Sequence, residues 1–243
     1  MGAIENGVFF KEGVKMENIV IGRNISRIYR NGEVLTTALN HVSFEIKPGS
    51  LVSFVGPSGS GKTTLLNLIG CLDTPTEGEL CVVNQDISTL DFKERAKFRG
   101  ENIGFIFQDF NLIPVLTVFE NVEFPLLMVK RKSKKERKKI VLSLLEGVGM
   151  IDQKDKYPFQ VSGGQKQRAA VARALTTDPL LVLADEPTAN LDHKTAYKII
   201  ELMKTFRKEK GTSFLFSTHD TKIVDSVDFL YTLEDGTLMG PGE

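Results

Sequence analysis

The segment Gly56-Pro57-Ser58-Gly59-Ser60-Gly61-Lys62-Thr63 fits the spacing G-x-x-x-x-G-K-[ST] at every position. Residues in this order can hold phosphate. Glycines let the backbone curl so that successive N–H groups face an anion. Lys62 brings a point charge to the β- and γ-phosphates, and the Thr63 hydroxyl can ligate Mg2+. An apolar run over 51–55 leads into the segment, and residues 62–70 read as a helix, whose positive end adds to the cradle. The candidate nucleotide-binding residues are therefore Gly56, Pro57, Ser58, Gly59, Ser60, Gly61, Lys62, Thr63 and Thr64.

A second chemical pair, Asp185-Glu186, directly follows the apolar run Leu180-Leu181-Val182-Leu183-Ala184. In open α/β sheets ligands bind at the carboxyl ends of strands. Asp185 is placed there to hold Mg2+, and Glu186 to orient and deprotonate an attacking water. Alone, such a pair could equally cap a helix; beside a complete phosphate loop the chemical reading prevails. A third segment, Val161-Ser162-Gly163-Gly164-Gln165, opens a helix running to about Leu175 and so offers a second anion-binding helix end. By itself it would read as a turn.

The elements that must position these groups alternate between strand and helix, which favours an α/β architecture. Residues 19–29 and 42–47 read as strands, with turns at Asn31-Gly32-Glu33 and Pro48-Gly49. The run 180–184 suits a strand covered on both faces by helices, and 213–217 resembles it. Between them, 193–210 has helical spacing and ends at Gly211, which reads as its C-cap. Residues 229–233 form a late strand before the turn Asp235-Gly236. The stretch 92–157 reads instead as mostly helical, with candidates at 93–98, 117–128 and 133–148. The last begins with Ser133 as N-cap and Glu136 three residues on. This middle stretch is expected to be a helical insertion, approximately 92–158, within one domain spanning 16–243.

Composition narrows the function. Lys plus Arg and Asp plus Glu both number 31, so global charge does not single out nucleic acid as the main partner. No apolar run reaches the roughly 18 residues that cross a bilayer. The first fifteen residues lack the apolar segment of a signal peptide. The Met-Gly start fails the myristoylation pattern because Asn6 stands where Ser or Thr is required. Residues 1–15 are expected to be a flexible extension, with Met16 as an alternative start. Cys71 and Cys81 form no CxxC pair and read as reduced thiols. Any membrane role must come through a partner.

Taken in order, the motifs resemble the ATP-binding subunit of an ATP-binding-cassette (ABC) transporter over about 19–237. The resemblance implies a P-loop NTPase (RecA-like) core with an antiparallel β subdomain and a helical subdomain insertion. It implies that Tyr29 stacks on adenine and that Gln108, within Ile106-Phe107-Gln108-Asp109, contacts Mg2+ and water. It implies that Ser162, Gly163 and Gly164 contact the γ-phosphate held by a second protomer, with Gln165 among the nucleotide-binding residues. Ala189-Asn190-Leu191-Asp192 is similar to the D-loop, which places Asp192 near the nucleotide at the dimer interface. His219, after Ser217-Thr218, matches the switch histidine. The implied catalytic residues are Glu186, His219 and Gln108; the implied metal ligands are Thr63, Gln108 and Asp185; the cofactors are ATP and Mg2+. The departure is Val161, where the family usually has Leu.

Each motif occurs once, so two complete sites need two chains. The resemblance implies a homodimer formed on ATP binding and integral membrane permease subunits as partners, with no nucleic acid. It places the chain peripherally on the cytoplasmic face of the inner membrane. The stretches 107–112 and 184–192 most resemble the lipoprotein-releasing and macrolide-exporting branch. Two other outputs stay open: regulation of a membrane partner in cell division with no cargo, and soluble cassette ATPases acting on nucleic acid or ribosomes. The basic run 130–139 is either a solvated helix face or a surface for anionic lipid headgroups. The apolar stretch 111–127 packs the core and, by resemblance, helps form a groove for a short helix of the permease.

Overall fold

The computed structural model describes residues 3–5, 8–11, 14–129, 132–218 and 220–239. The chain opens with β1 (Ala3–Glu5), β2 (Val8–Lys11) and β3 (Val14–Met16), which pair antiparallel in sequence order. Strands thus occur within the stretch where a flexible extension is expected. A long hairpin follows, β4 (Val20–Asn31) and β5 (Val34–Ile46), turning at Gly32 with φ 63. β6 (Leu51–Val55) then leads through the glycine-rich loop into α1 (Lys62–Ile69). Next come β7 (Glu77–Val82), β8 (Gln85–Asp86), α2 (Phe92–Asn102) and β9 (Ile103–Ile106). Three helices follow, α3 (Val118–Val129), α4 (Lys134–Gly147) and α5 (Gly163–Leu175). The chain returns through β10 (Leu181–Asp185), α6 (His193–Lys210), β11 (Ser213–Ser217), α7 (Thr221–Val224), β12 (Phe229–Glu234) and β13 (Thr237–Met239).

The central sheet has the order β13-β12-β6-β11-β10-β9. Its strands run parallel from β12 to β9, and β13 joins antiparallel at one edge. Both faces are covered, which explains why its strands are continuous apolar runs. Side chains alternate across it with the period of two that a pleated strand imposes. Leu181, Leu183 and Leu215 pack with α1 and the antiparallel sheet β5-β4-β7-β8, whereas Val182, Ala184, Phe214 and Phe216 pack with α3, α5 and α6. Strands β6, β10 and β11 therefore have little freedom to shift, and their carboxyl ends carry the candidate chemistry.

The expected helical stretch over 92–158 is interrupted by β9, which pairs with β10 at the sheet edge. Gly104 lets β9 lie close against α5: a Cβ there would sit 2.2 Å from the Ala174 carbonyl oxygen. The helices themselves start where their caps dictate. Ser133 and Glu136 form a reciprocal capping box at α4, and Asp91 and Glu94 form one at α2. The Ser133 bonds hold the Glu136 carboxyl below its usual range.

Candidate active site

The loop between β6 and α1 is shaped by three glycines in left-handed backbone, Gly56, Gly59 and Gly61, with φ 150, 82 and 102. Two of them are also pressed against other elements. A Cβ on Gly56 would lie 2.0 Å from the Leu233 carbonyl oxygen, and one on Gly61 would lie 2.4 Å from that of Ala38. The loop closes on itself through Ser60 N–H to the Pro57 oxygen, and the turn after β12 joins it through Gly236 N–H to the Ser60 oxygen, at 3.2 and 3.1 Å. Lys62 Nζ folds back to donate to the carbonyls of Gly56 and Pro57, both at 2.8 Å. Gly61, the N-cap of α1, makes no side-chain cap bond, and the first turn carries no acidic residue. The helix start therefore lacks a protein side chain for its first N–H groups, which is the condition for receiving an anion.

The acidic side comes from β10 and the loop beyond it. Thr63 Oγ1 donates to Asp185 Oδ2 at 3.2 Å, joining the start of α1 to the end of β10. Glu186 sits at φ 46, a conformation that bulky residues rarely adopt. Its N–H donates to the Ser217 oxygen at 2.9 Å, and its Oε2 accepts from Thr218 Oγ1 at 2.7 Å. Thr188 Oγ1 donates to Asp220 Oδ2 at 2.6 Å, and Asp220 N–H donates to Thr218 Oγ1 at 3.1 Å. The loop leaving β11 thus clasps the loop leaving β10 at two points and fixes where the Glu186 carboxylate stands.

Between these walls lies a cavity of about 910 Å³, lined among others by Lys62, Thr63, Gln108, Asp185, Glu186 and Asp220. Its donor set fits Mg2+: a hydroxyl, a carboxylate and an amide face one space, and hard oxygen donors suit that ion. Among the described residues no group of three or more His, Cys, Asp and Glu could hold a metal. The remaining ligands of a Mg2+ ion would be phosphate and water oxygens.

Gly56, Ser58, Gly59, Gly61, Lys62, Thr63 and Thr64 line the cavity, with Gln108, Asp185 and Glu186; Pro57 and the buried Ser60 do not. Ser162, Gly163, Gly164, Gln165 and Asp192 do not line it either. Ser162 caps α5: its N–H donates to Gln165 Oε1 at 2.8 Å, and Gln165 N–H donates to its Oγ at 3.3 Å. Position Gly164 faces the next loop, where a Cβ would lie 3.2 Å from the Asn190 oxygen. Asp192 caps α6 by accepting from Thr195 N–H at 3.0 Å, and bonds from Thr195 hold its carboxyl below the usual range. Tyr29 is also outside the lining. Its hydroxyl donates to Asp73 Oδ2 at 2.9 Å, and the Arg27 guanidinium lies 4.6 Å from its ring centroid. The partner opposite it on β5, Thr36, does line the cavity, with Thr37 and Ala38. Those three carry no motif, and only Thr36 is tied to a sequence candidate, through its register with Tyr29. His219 lies outside the described residues.

The profile of the ABC transporter family matches residues 39–189. The chain belongs to that family. It is an ABC transporter ATP-binding subunit and an ATPase. The cassette is 46% identical over 220 residues to an uncharacterized ABC transporter ATP-binding protein of Methanocaldococcus jannaschii, covering 88% of this chain and 92% of that one. It is 42% identical over 224 residues to the lipoprotein-releasing system ATP-binding protein LolD of Pseudoalteromonas translucida, covering 92% and 96%. Among solved structures, the cassette matches a dimeric post-hydrolysis state of an ATP-binding cassette bound to ADP and Pi. That match has a TM-score of 0.88 and 44% identity, and covers 92% of this chain and 98% of that one. The α/β core with its antiparallel sheet and helical part is therefore the ABC ATPase cassette fold.

Proposed function

We propose that two copies of this chain close around two ATP molecules and that hydrolysis reopens them, moving a membrane permease of the lipoprotein-releasing type. The observation that carries this reading is the division of the motifs. One cavity gathers the phosphate loop, Gln108, Asp185 and Glu186, while Ser162 to Gln165 stand outside it. A second copy would bring its Ser162 helix end to the open side of that cavity. The similarity to LolD supports the branch, and the dimeric relative supports the pairing.

Within each site Gly56, Gly59, Gly61 and Lys62 would hold the phosphates. Thr63, Asp185 and Gln108 would hold Mg2+, which when bound neutralises charge on the phosphate oxygens. Glu186, fixed by Thr218, would take a proton from the attacking water. His219 is proposed to stand near the γ-phosphate, Tyr29 to stack on adenine, and Asp192 to face the partner copy. Among the described residues no helix is long and apolar enough to cross a membrane, so attachment to the inner face of a membrane would run through the permease.

The test is Glu186→Gln in the full chain with Mg-ATP. The expected result is a stable dimer on size-exclusion chromatography and turnover reduced at least a hundredfold, the scale of removing a positioned general base. Unimpaired hydrolysis would overturn the role given to Glu186.

A further inference from the structure

Arg173 lies in the last turn of α5. Its Nη2 donates to the Phe110 carbonyl at 2.6 Å, and its Nη1 donates to the Asn111 carbonyl. A half-buried cation is costly unless its donors are met; desolvation pulls this guanidinium down to about 10, which leaves it charged at neutral pH. The two carbonyls belong to residues in left-handed backbone, with φ 61 and 47. Such backbone persists only where its surroundings hold it, and these two residues come directly after Gln108-Asp109.

Two further contacts bind the same loop to the same helix. The Phe110 ring reaches the opposite end of α5, where its Cζ lies 4.0 Å from the place a Cβ on Gly163 would take. On the other side of Gln108, β9 is seated against α5 at Gly104, whose Cβ would meet the Ala174 oxygen at 2.2 Å. The loop carrying Gln108 is thus held by α5 before it and after it, and near both helix ends.

We propose that Arg173 is a positioning residue that locks the Gln108 loop to α5, so that Gln108 and the Ser162 helix end move as one rigid piece. This rests on the roles proposed above for Gln108 and Ser162. Gln108 faces the chain's own cavity, whereas Ser162 would face the partner's nucleotide. A lock between them ties the state of one site to the geometry of the other. Arg173 touches neither nucleotide. Its loss leaves the phosphate loop intact and removes the registration of the two ends.

The test uses the full chain with Arg173→Met, Arg173→Lys, Gln108→Ala and the combined variants. Arg173→Met is expected to lower kcat about tenfold with KM for ATP within about twofold, and Arg173→Lys to recover part of the loss. Combined with Gln108→Ala, either Arg173 variant is expected to add less than about twofold, because both act through one loop. Losses that multiply in the combined variant would overturn the proposal, as would wild-type kcat in Arg173→Met. If Arg173→Met does not fold, Arg173→Lys carries the same cycle. If Gln108→Ala alone leaves turnover unchanged, the reading of Gln108 fails, and amide hydrogen exchange then decides the lock separately. Faster exchange at 110–112 in Arg173→Lys supports it; unchanged exchange overturns it.

Discussion

The two glycine-bearing helix starts, at α1 and α5, differ in how their first turn is satisfied. At α1 the cap is Gly61 at φ 102, with no side-chain bond to the first turn. At α5 the cap is Ser162, and its capping box with Gln165 supplies partners from the chain itself. The glycines differ in the same sense. Gly56 and Gly61 of the cradle are jammed against Leu233 and Ala38, whereas Gly163 has nothing closer than Phe110 at 4.0 Å. The first start is a socket whose shape depends on the rest of the fold and whose first N–H groups no side chain caps. The second is a self-sufficient surface, finished before any ligand arrives. The split site proposed above would need that asymmetry. One half would hold the nucleotide unaided, and the other would keep its shape until it met a nucleotide on another molecule.

The change that should break the contrast most strongly is Gly61→Ala. It combines a backbone conformation that L side chains rarely adopt with a Cβ 2.4 Å from the Ala38 oxygen. The expected loss of stability is on the order of 2–4 kcal/mol, together with loss of ATP binding. Urea unfolding and titration with a fluorescent ATP analogue measure both. A stable variant that binds ATP normally would mean that the socket adapts and that its tight packing is incidental.

How far the sequence discloses this site follows from the kind of signal each part carries. β6, β11 and α6 are found at their observed limits because covered strands are unbroken apolar runs and α6 ends on Gly211 at φ 70. The cradle and Asp185-Glu186 are legible because their chemistry demands particular residue types at fixed spacing. β9 is missed because it is four residues long, contains Gly104 and stands between helices. β7 is missed because Glu77, Gly78 and Glu79 are exposed and only its far end enters the core, so it shows no alternation. Thr36 and Ala38 are invisible for a different reason. They line the cavity from β5, with Thr36 opposite Tyr29 across the hairpin, a relation with no local pattern. Arg173 is equally silent, since a half-buried guanidinium bonded to carbonyls 62 and 63 residues away leaves no mark at short range.

Gly163→Ala tests the other half of the contrast. A Cβ there meets nothing closer than the Phe110 ring at 4.0 Å, an ordinary contact. The folded monomer should keep its stability within about 0.5 kcal/mol. If a partner's phosphate packs against this face, the added methyl should weaken ATP-driven dimerisation about tenfold, equivalent to roughly 1.4 kcal/mol. Analytical ultracentrifugation of the Glu186→Gln background, with and without Gly163→Ala, reads that difference. Unchanged dimerisation would place the interface elsewhere.

The smallest effect on the fold, and the sharpest division of roles, belongs to Ser162→Gly. The Ser162 hydroxyl accepts from Gln165 N–H within its own chain, and the same hydroxyl is proposed to contact the partner's nucleotide. Alanine would confound the two roles, because losing an N-cap oxygen this way costs about 1 kcal/mol. Glycine is tolerated at an N-cap, so Ser162→Gly should cost only a few tenths of a kcal/mol. In a chain of this size that lowers Tm by about 1 °C. Thermal melts of the monomer should therefore nearly coincide with wild type while steady-state ATP turnover falls, the missing hydroxyl being felt only across the dimer. Equal turnover would make Ser162 a cap and nothing more, leaving recognition of the partner's phosphate to the N–H groups of Gly163 and Gly164. Ser162→Thr keeps both functions in one hydroxyl and should restore turnover. That restoration separates the oxygen itself from the space glycine opens at the helix end.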